Sequence, residues 1–173
     1  MRVLATISVI VLSACQSNEI ATVNMGGDNI LPSRYVCEAR RYSKTIDSTR
    51  ALVDLNTGVA HLAGATERFT RAEVDEFKRE RGLDELITLT FNPGTVVIGS
   101  LNSNLESVRH PYRIRDGKAY FQSSMRIRVE GINARGEGGG TLDFATLEFT
   151  SNLKINMLGE TAAIAVVYQC VIR

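Results

Sequence analysis

The feature that most constrains this chain is a succession of short, apolar-alternating runs separated by tight-turn residues. Asp116-Gly117 is the clearest separator, because both residue types tolerate the positive φ that a two-residue hairpin turn demands. It fixes a register: Arg115 opposite Lys118, Ile114 opposite Ala119, Arg113 opposite Tyr120 and Tyr112 opposite Phe121. Asn56-Thr57-Gly58 divides 51–55 from 59–63, and Asn92-Pro93-Gly94 divides 86–91 from 95–101. There proline presets φ and glycine supplies the left-handed position. Tyr35, Cys37 and Ala39 alternate on a further run, and 152–158 and 162–173 follow as strands. The last is apolar on both parities, which predicts a central strand or one covered on both faces.

Two stretches are less regular. Residues 141–149 change phase, Leu142 and Phe144 sharing one parity and Leu147 and Phe149 the other. A bulge near Ala145 or Thr146 is expected to keep all four inward. Before it, Gly136-Glu137-Gly138-Gly139-Gly140 lacks the Lys-Ser/Thr of a phosphate-binding loop and is expected as a flexible hairpin connection. Its neighbourhood, 133–140, is the candidate for a protruding binding loop. One helix has a clear start: Thr70 and Glu73 match a capping box, with Phe69 and Val74 at staple spacing and Gly82 as a stop. The whole predicts a mainly β chain, an antiparallel barrel or sandwich of about nine or ten strands with one short helix. The Gly-x-Trp start of lipocalins is missing, since the chain has no tryptophan.

The first residues give a different kind of information. Arg2 and the amino terminus are positive, and Val3 to Leu12 is an apolar run of about ten residues, too short to cross a bilayer as a helix. Leu12-Ser13-Ala14-Cys15 then places an aliphatic residue and two small ones before a cysteine. This resembles the lipobox of bacterial lipoprotein precursors. The resemblance covers the leader only, and it implies removal of 1–14, acylation of Cys15, a lipidated tether over 15–33 and a single β domain over 34–173. Several acyl chains would anchor such a chain stably, where one is marginal. Gln16 after the cysteine implies the outer membrane, with the domain facing the periplasm.

With Cys15 acylated, Cys37 and Cys170 remain, and an even pair in an exported chain reads as a disulfide. Neither has a second Cys or a His at ligand spacing, so no metal or other cofactor is expected. Of the 20 Lys and Arg only Arg2 lies in the leader, while all 19 Asp and Glu lie beyond it. The mature chain is then formally neutral, which argues against a general nucleic-acid binder.

Candidate chemistry concentrates on residues 109–135. One face of the Asp116-Gly117 hairpin carries Arg113, Arg115, Lys118, Tyr120 and Gln122. A neighbouring strand is expected to repeat the split, with Met125, Ile127 and Val129 inward and Arg126, Arg128 and Glu130 outward. Arg113, Arg115, Lys118, Arg126 and Arg128 would then form an anion-binding face, since Arg forks suit carboxylates and phosphates. The alternative is a solvated face balanced by acids such as Asp75, Glu76, Glu80, Asp84 and Glu85. His61 and His110 are the two histidines, and neither is paired in sequence with a nucleophile. The reading is a non-enzymatic envelope lipoprotein that binds an anionic envelope component or a protein. The alternatives are a carrier of a small apolar ligand, or an inhibitor of an envelope-attacking enzyme. For the last, Tyr35-Val36-Cys37 with a cysteine near the C-terminus resembles small periplasmic lysozyme inhibitors, without their Ser-Gly-x-x-Tyr loop.

Overall fold

The computed structural model describes residues 34–101, 108–129, 132–157 and 160–173, apart from the side chains of 125–129, 132–134 and 157. Cys15 and the tether expected over 15–33 therefore lie outside the described residues. Among the described residues, eleven strands and one helix follow in order: β1 Arg34–Ile46, β2 Thr49–Asp54, β3 Val59–Leu62, β4 Ala65–Arg68, α1 Arg71–Glu80, β5 Ile87–Asn92, β6 Thr95–Ser100, β7 Val108–Arg115, β8 Lys118–Val129, β9 Ile132–Asp143, β10 Glu148–Met157 and β11 Glu160–Ile172. Every neighbouring pair is antiparallel, and β11 returns to pair with β1. Strands β1 and β5 to β11 thus close into an eight-stranded barrel, the expected class, with β2 to β4 as an extension.

The extension exists because β1 changes partner along one edge. Its first part, Arg34–Cys37, pairs with β5, and its second, Arg41–Ile46, pairs with β2, the register shifting between Ala39 and Arg41. The helix α1 packs where the two diverge. Phe77 meets Tyr42 edge-on at 5.4 Å and Phe69 at 6.2 Å, Val74 is buried, and the Lys78 ammonium reaches Glu38 at 3.5 Å. The helix begins as its sequence predicts: Thr70 accepts from the Glu73 amide while the Glu73 carboxylate accepts from the Thr70 amide at 2.7 Å. Gly82 follows the C-cap with φ +62°.

The Asp116-Gly117 turn has φ of +50° and +71°, and all four predicted pairs across it are present. Two two-residue turns were not legible, Asp47-Ser48 and Ala63-Gly64, because Ser48 and Ala63 take positive φ despite their side chains. Residues 141–149 are not one bulged strand. β9 ends at Asp143, four residues turn, and β10 begins at Glu148, so the phase change marks a hairpin with Leu147 at φ +55°. Phe149 lands opposite Leu142, and both are buried. β11 is central, pairing on both sides, but it is not covered on both faces: Val171 is 54% exposed.

The glycine run is the largest departure from the sequence reading. Gly136 to Gly140 lie inside β9, paired with β8 on one side and β10 on the other, and form no loop. The reason is in the core. His110, Phe121, Phe149 and Tyr168 form one stack, with successive centroids 5.5, 5.7 and 5.6 Å apart. Phe121 is on β8 and Phe149 on β10, with β9 between them and neighbouring strands about 4.8 Å apart. Their rings meet only by leaning over a position without a side chain, and that position is Gly140. A Cβ there would lie 2.3 Å from Phe121 and 2.5 Å from Phe149. Tyr35, Phe91, Tyr112 and Phe144 fill the neighbouring interior, with Phe91 to Tyr112 at 5.1 Å.

Candidate functional site

The structure divides the five predicted cations. Residues 118–129 are one strand, Ser123 and Ser124 staying in the ladder opposite Gly138 and Glu137, so no turn sets Arg126 and Arg128 beside the hairpin. Arg126 instead lies eight residues further along β8 than Lys118, about 26 Å away at the usual rise. In backbone register it is opposite Arg135, and the side chains of Arg126 and Arg128 lie outside the described residues. The single five-cation patch is therefore corrected to two separate groups.

Two of the three hairpin cations are already compensated. Lys118 binds Asp143 at 2.9 Å, and Arg115 binds Asp116 at 3.1 Å. The Asp143 carboxylate also accepts from the Ala145 and Thr146 amides, holding the β9–β10 turn. The Lys118 hydrogen bond, then these amides, hold its pKa below the usual carboxylate value, and the same contact raises that of Lys118. Arg41 meets Glu148 at 2.8 Å on the same side. Arg113, opposite Tyr120, has no ion-pair partner among the described residues.

Above this rim the outer wall is concave. One depression, of about 710 Å³, crosses β8, β9 and β10, with Gly139 on its floor and Tyr120, Gln122, Thr141 and Asn152 around it. A second, of about 300 Å³, crosses β10, β11, β1 and β2 over Ala163 and Ala165, between Asn152 and Ser43, Thr45 and Arg50. Asn152 and Lys154 line both. The registers explain the alignment. Gln122, Gly139, Asn152, Ala165 and Ser43 stand in one row across five strands, and Ser124, Glu137, Lys154, Ala163, Thr45 and Arg50 in the next. Gly139 on one side of Asn152, and Ala163 and Ala165 on the other side of β10, leave a depression to either side of Asn152 and Lys154 in what is otherwise a convex wall, a trough divided by one ridge. Glu137, opposite Lys154, turns to Arg135 at 3.6 Å, and Lys154 and Arg50 have no ion-pair partner among the described residues.

The two histidines do different things. His61 is exposed on β3, its Nδ1 2.9 Å from the Thr66 hydroxyl. His110 is half-buried in the core and stacks on Phe121. Burial holds its pKa below the usual imidazole value. As pH falls through about 6.5 the unfolded chain takes up a proton before the folded one does, so stability falls with it. In urea melts from about pH 7.5 to about pH 5, His110→Phe is expected to flatten this slope. A wild-type slope retained in the variant would assign it to other groups. Among the described residues, no cluster of three or more His, Cys, Asp or Glu is arranged to hold a metal ion. No known protein family, curated protein or solved structure matches the chain.

Proposed function

We infer that this chain is a non-enzymatic binding module of the bacterial cell envelope. It is acylated at Cys15 and held at the periplasmic face of the outer membrane. The address rests on Leu12-Ser13-Ala14-Cys15 and on the two remaining cysteines, whose pairing as Cys37–Cys170 suits an oxidising compartment. The observation that carries the binding reading is a contrast. Among the described residues, stacked rings fill the barrel interior around Phe121, Phe149 and Tyr168, while the two depressions described above are on the outer wall. That ring-filled part of the interior counts against the carrier alternative, which needs several hundred Å³ of enclosed space. The inhibitor alternative loses its protruding loop, because residues 135–140 are strand.

Two measurements test this reading. Metabolic acyl labelling should mark the wild type, and Cys15→Ser should lose both the label and its membrane sedimentation. A variant that stays membrane-bound, beside an unlabelled wild type, would overturn the anchor. Co-purification from crosslinked envelopes should recover a bound component, and recovery of none would overturn the binding role.

A further inference from the structure

We propose that the outer trough is a binding cleft for an extended, carboxylate-bearing glycan laid across the strands. The proposal rests on reading the outer wall as the binding surface, and is independent of the anchor at Cys15.

Shape is the first argument. The two depressions share the Asn152–Lys154 ridge of β10 and together span six adjacent strands, from Tyr120 and Gln122 on β8 to Arg50 on β2. Five strand spacings make this about 24 Å. Two depressions open along their sides, on either side of one ridge, suit an extended chain that crosses the ridge better than a compact metabolite.

Direction decides which chain. An extended peptide binds a β protein by adding to a free strand edge and drawing affinity from its main-chain hydrogen bonds. This trough runs perpendicular to the strands, and β9, β10, β11 and the crossed part of β1 are paired on both edges. No ladder is open along it, so recognition falls to side chains. Those offered are amides and hydroxyls from Gln122, Asn152, Thr141, Ser43 and Thr45, with apolar floor between them at Gly139, Ala163 and Ala165. Alternating hydrogen-bonding groups and small apolar patches match a sugar, which presents hydroxyls at its edge and C–H groups on its ring faces. Tyr120, 40% exposed at the β8 end, supplies an aromatic face for one ring.

Charge sets the last feature. Lys154 and Arg50 flank the trough without ion-pair partners among the described residues, about 14 Å apart over three strand spacings, while Glu137 is engaged by Arg135. Two separated cations suit carboxylates carried at intervals on the polymer. They are too few for a nucleic-acid backbone, whose binding needs many phosphate contacts.

The test is calorimetric titration of the detergent-solubilised full chain with oligogalacturonate, oligoalginate and peptide-stripped peptidoglycan strands. Each is compared with its own carboxyl-esterified form, and polyglutamate serves as a sugar-free polyanion. At least one acidic glycan should bind, and its ester roughly a hundredfold more weakly. Lys154→Ala and Arg50→Ala should each lower affinity for the acidic form by roughly tenfold and leave the ester unchanged. Tyr120→Ala should weaken both forms alike. Asn152→Trp, an exposed substitution on the shared ridge, should abolish binding with unchanged thermal unfolding. Equal binding of an ester overturns the carboxylate requirement, and equal binding of polyglutamate overturns the glycan. Binding that survives Asn152→Trp, or none to any of the three glycans, overturns the cleft. If a component crosslinked in envelopes is still recovered with Asn152→Trp, the binding role stands and this proposal alone fails.

Discussion

Gly140→Ala is expected to destabilise the barrel by about 1–3 kcal/mol, and Gly140→Val by more. The added Cβ would start inside two aromatic rings, 2.3 Å from Phe121 and 2.5 Å from Phe149. Neither ring has room to withdraw: Phe121 is stacked between His110 and Phe149, and Phe149 between Phe121 and Tyr168. Tyr168, the end ring, is buried enough that its hydroxyl pKa is pushed up to about 12. A methyl at position 140 therefore has to move a column of four rings or bend β9. Urea melts of Gly140→Ala, Phe121→Leu and the double variant form a cycle that isolates the clash. The double variant is expected to lose less than the two singles together. Strict additivity would mean that Gly140 acts through backbone freedom alone.

Removing the disulfide is expected to cost about 2–5 kcal/mol, the upper figure being the chain-entropy value for so long a loop. Cys37 and Cys170 are 133 residues apart in sequence and directly opposite in register. They join β1 to β11, the pair that closes the barrel, and both are buried. The double variant Cys37→Ala/Cys170→Ala should shift the urea midpoint down and steepen the slope, because the unfolded chain without its crosslink exposes more surface. The folded wild type should keep its bond in reductant until it unfolds. Equal midpoints for the double variant and the oxidised wild type would remove the bond from the list of stabilising features.

How much of this was legible in the sequence follows from where each signal resides. The Asp116-Gly117 register and the Thr70/Glu73 cap were readable because their causes are local: two residues that accept positive φ, and a hydroxyl three positions before a carboxylate. The Cys37–Cys170 pair was readable by counting cysteines. The glycine run was misread because glycine in isolation argues for a loop. Its actual cause is two rings on flanking strands, Phe121 and Phe149, whose convergence no local window contains. The outward parity of Arg113, Arg115 and Lys118 is legible, but the neighbour of that face is not, since nothing between Gln122 and Met125 distinguishes a turn from a continuing strand. The trough was out of reach altogether. Its rows join Ser43 to Asn152 and Lys154 to Arg50, and only the full set of registers brings them together.

The pairing of β1 with β11 also governs the order in which the molecule can be finished. β6 to β10 each pair with the strand just made, and β1 finds β2 and then β5 on one edge, but its other edge must wait until all ten other strands have been made or delivered. During that wait β1 and β10 each present an uncovered strand edge, the kind of template that recruits other chains. Such long-range closure is slow. A chain emerging gradually from a ribosome or a membrane channel would therefore be most vulnerable just before its last dozen residues appear. Truncation within β11 would make that transient vulnerability permanent.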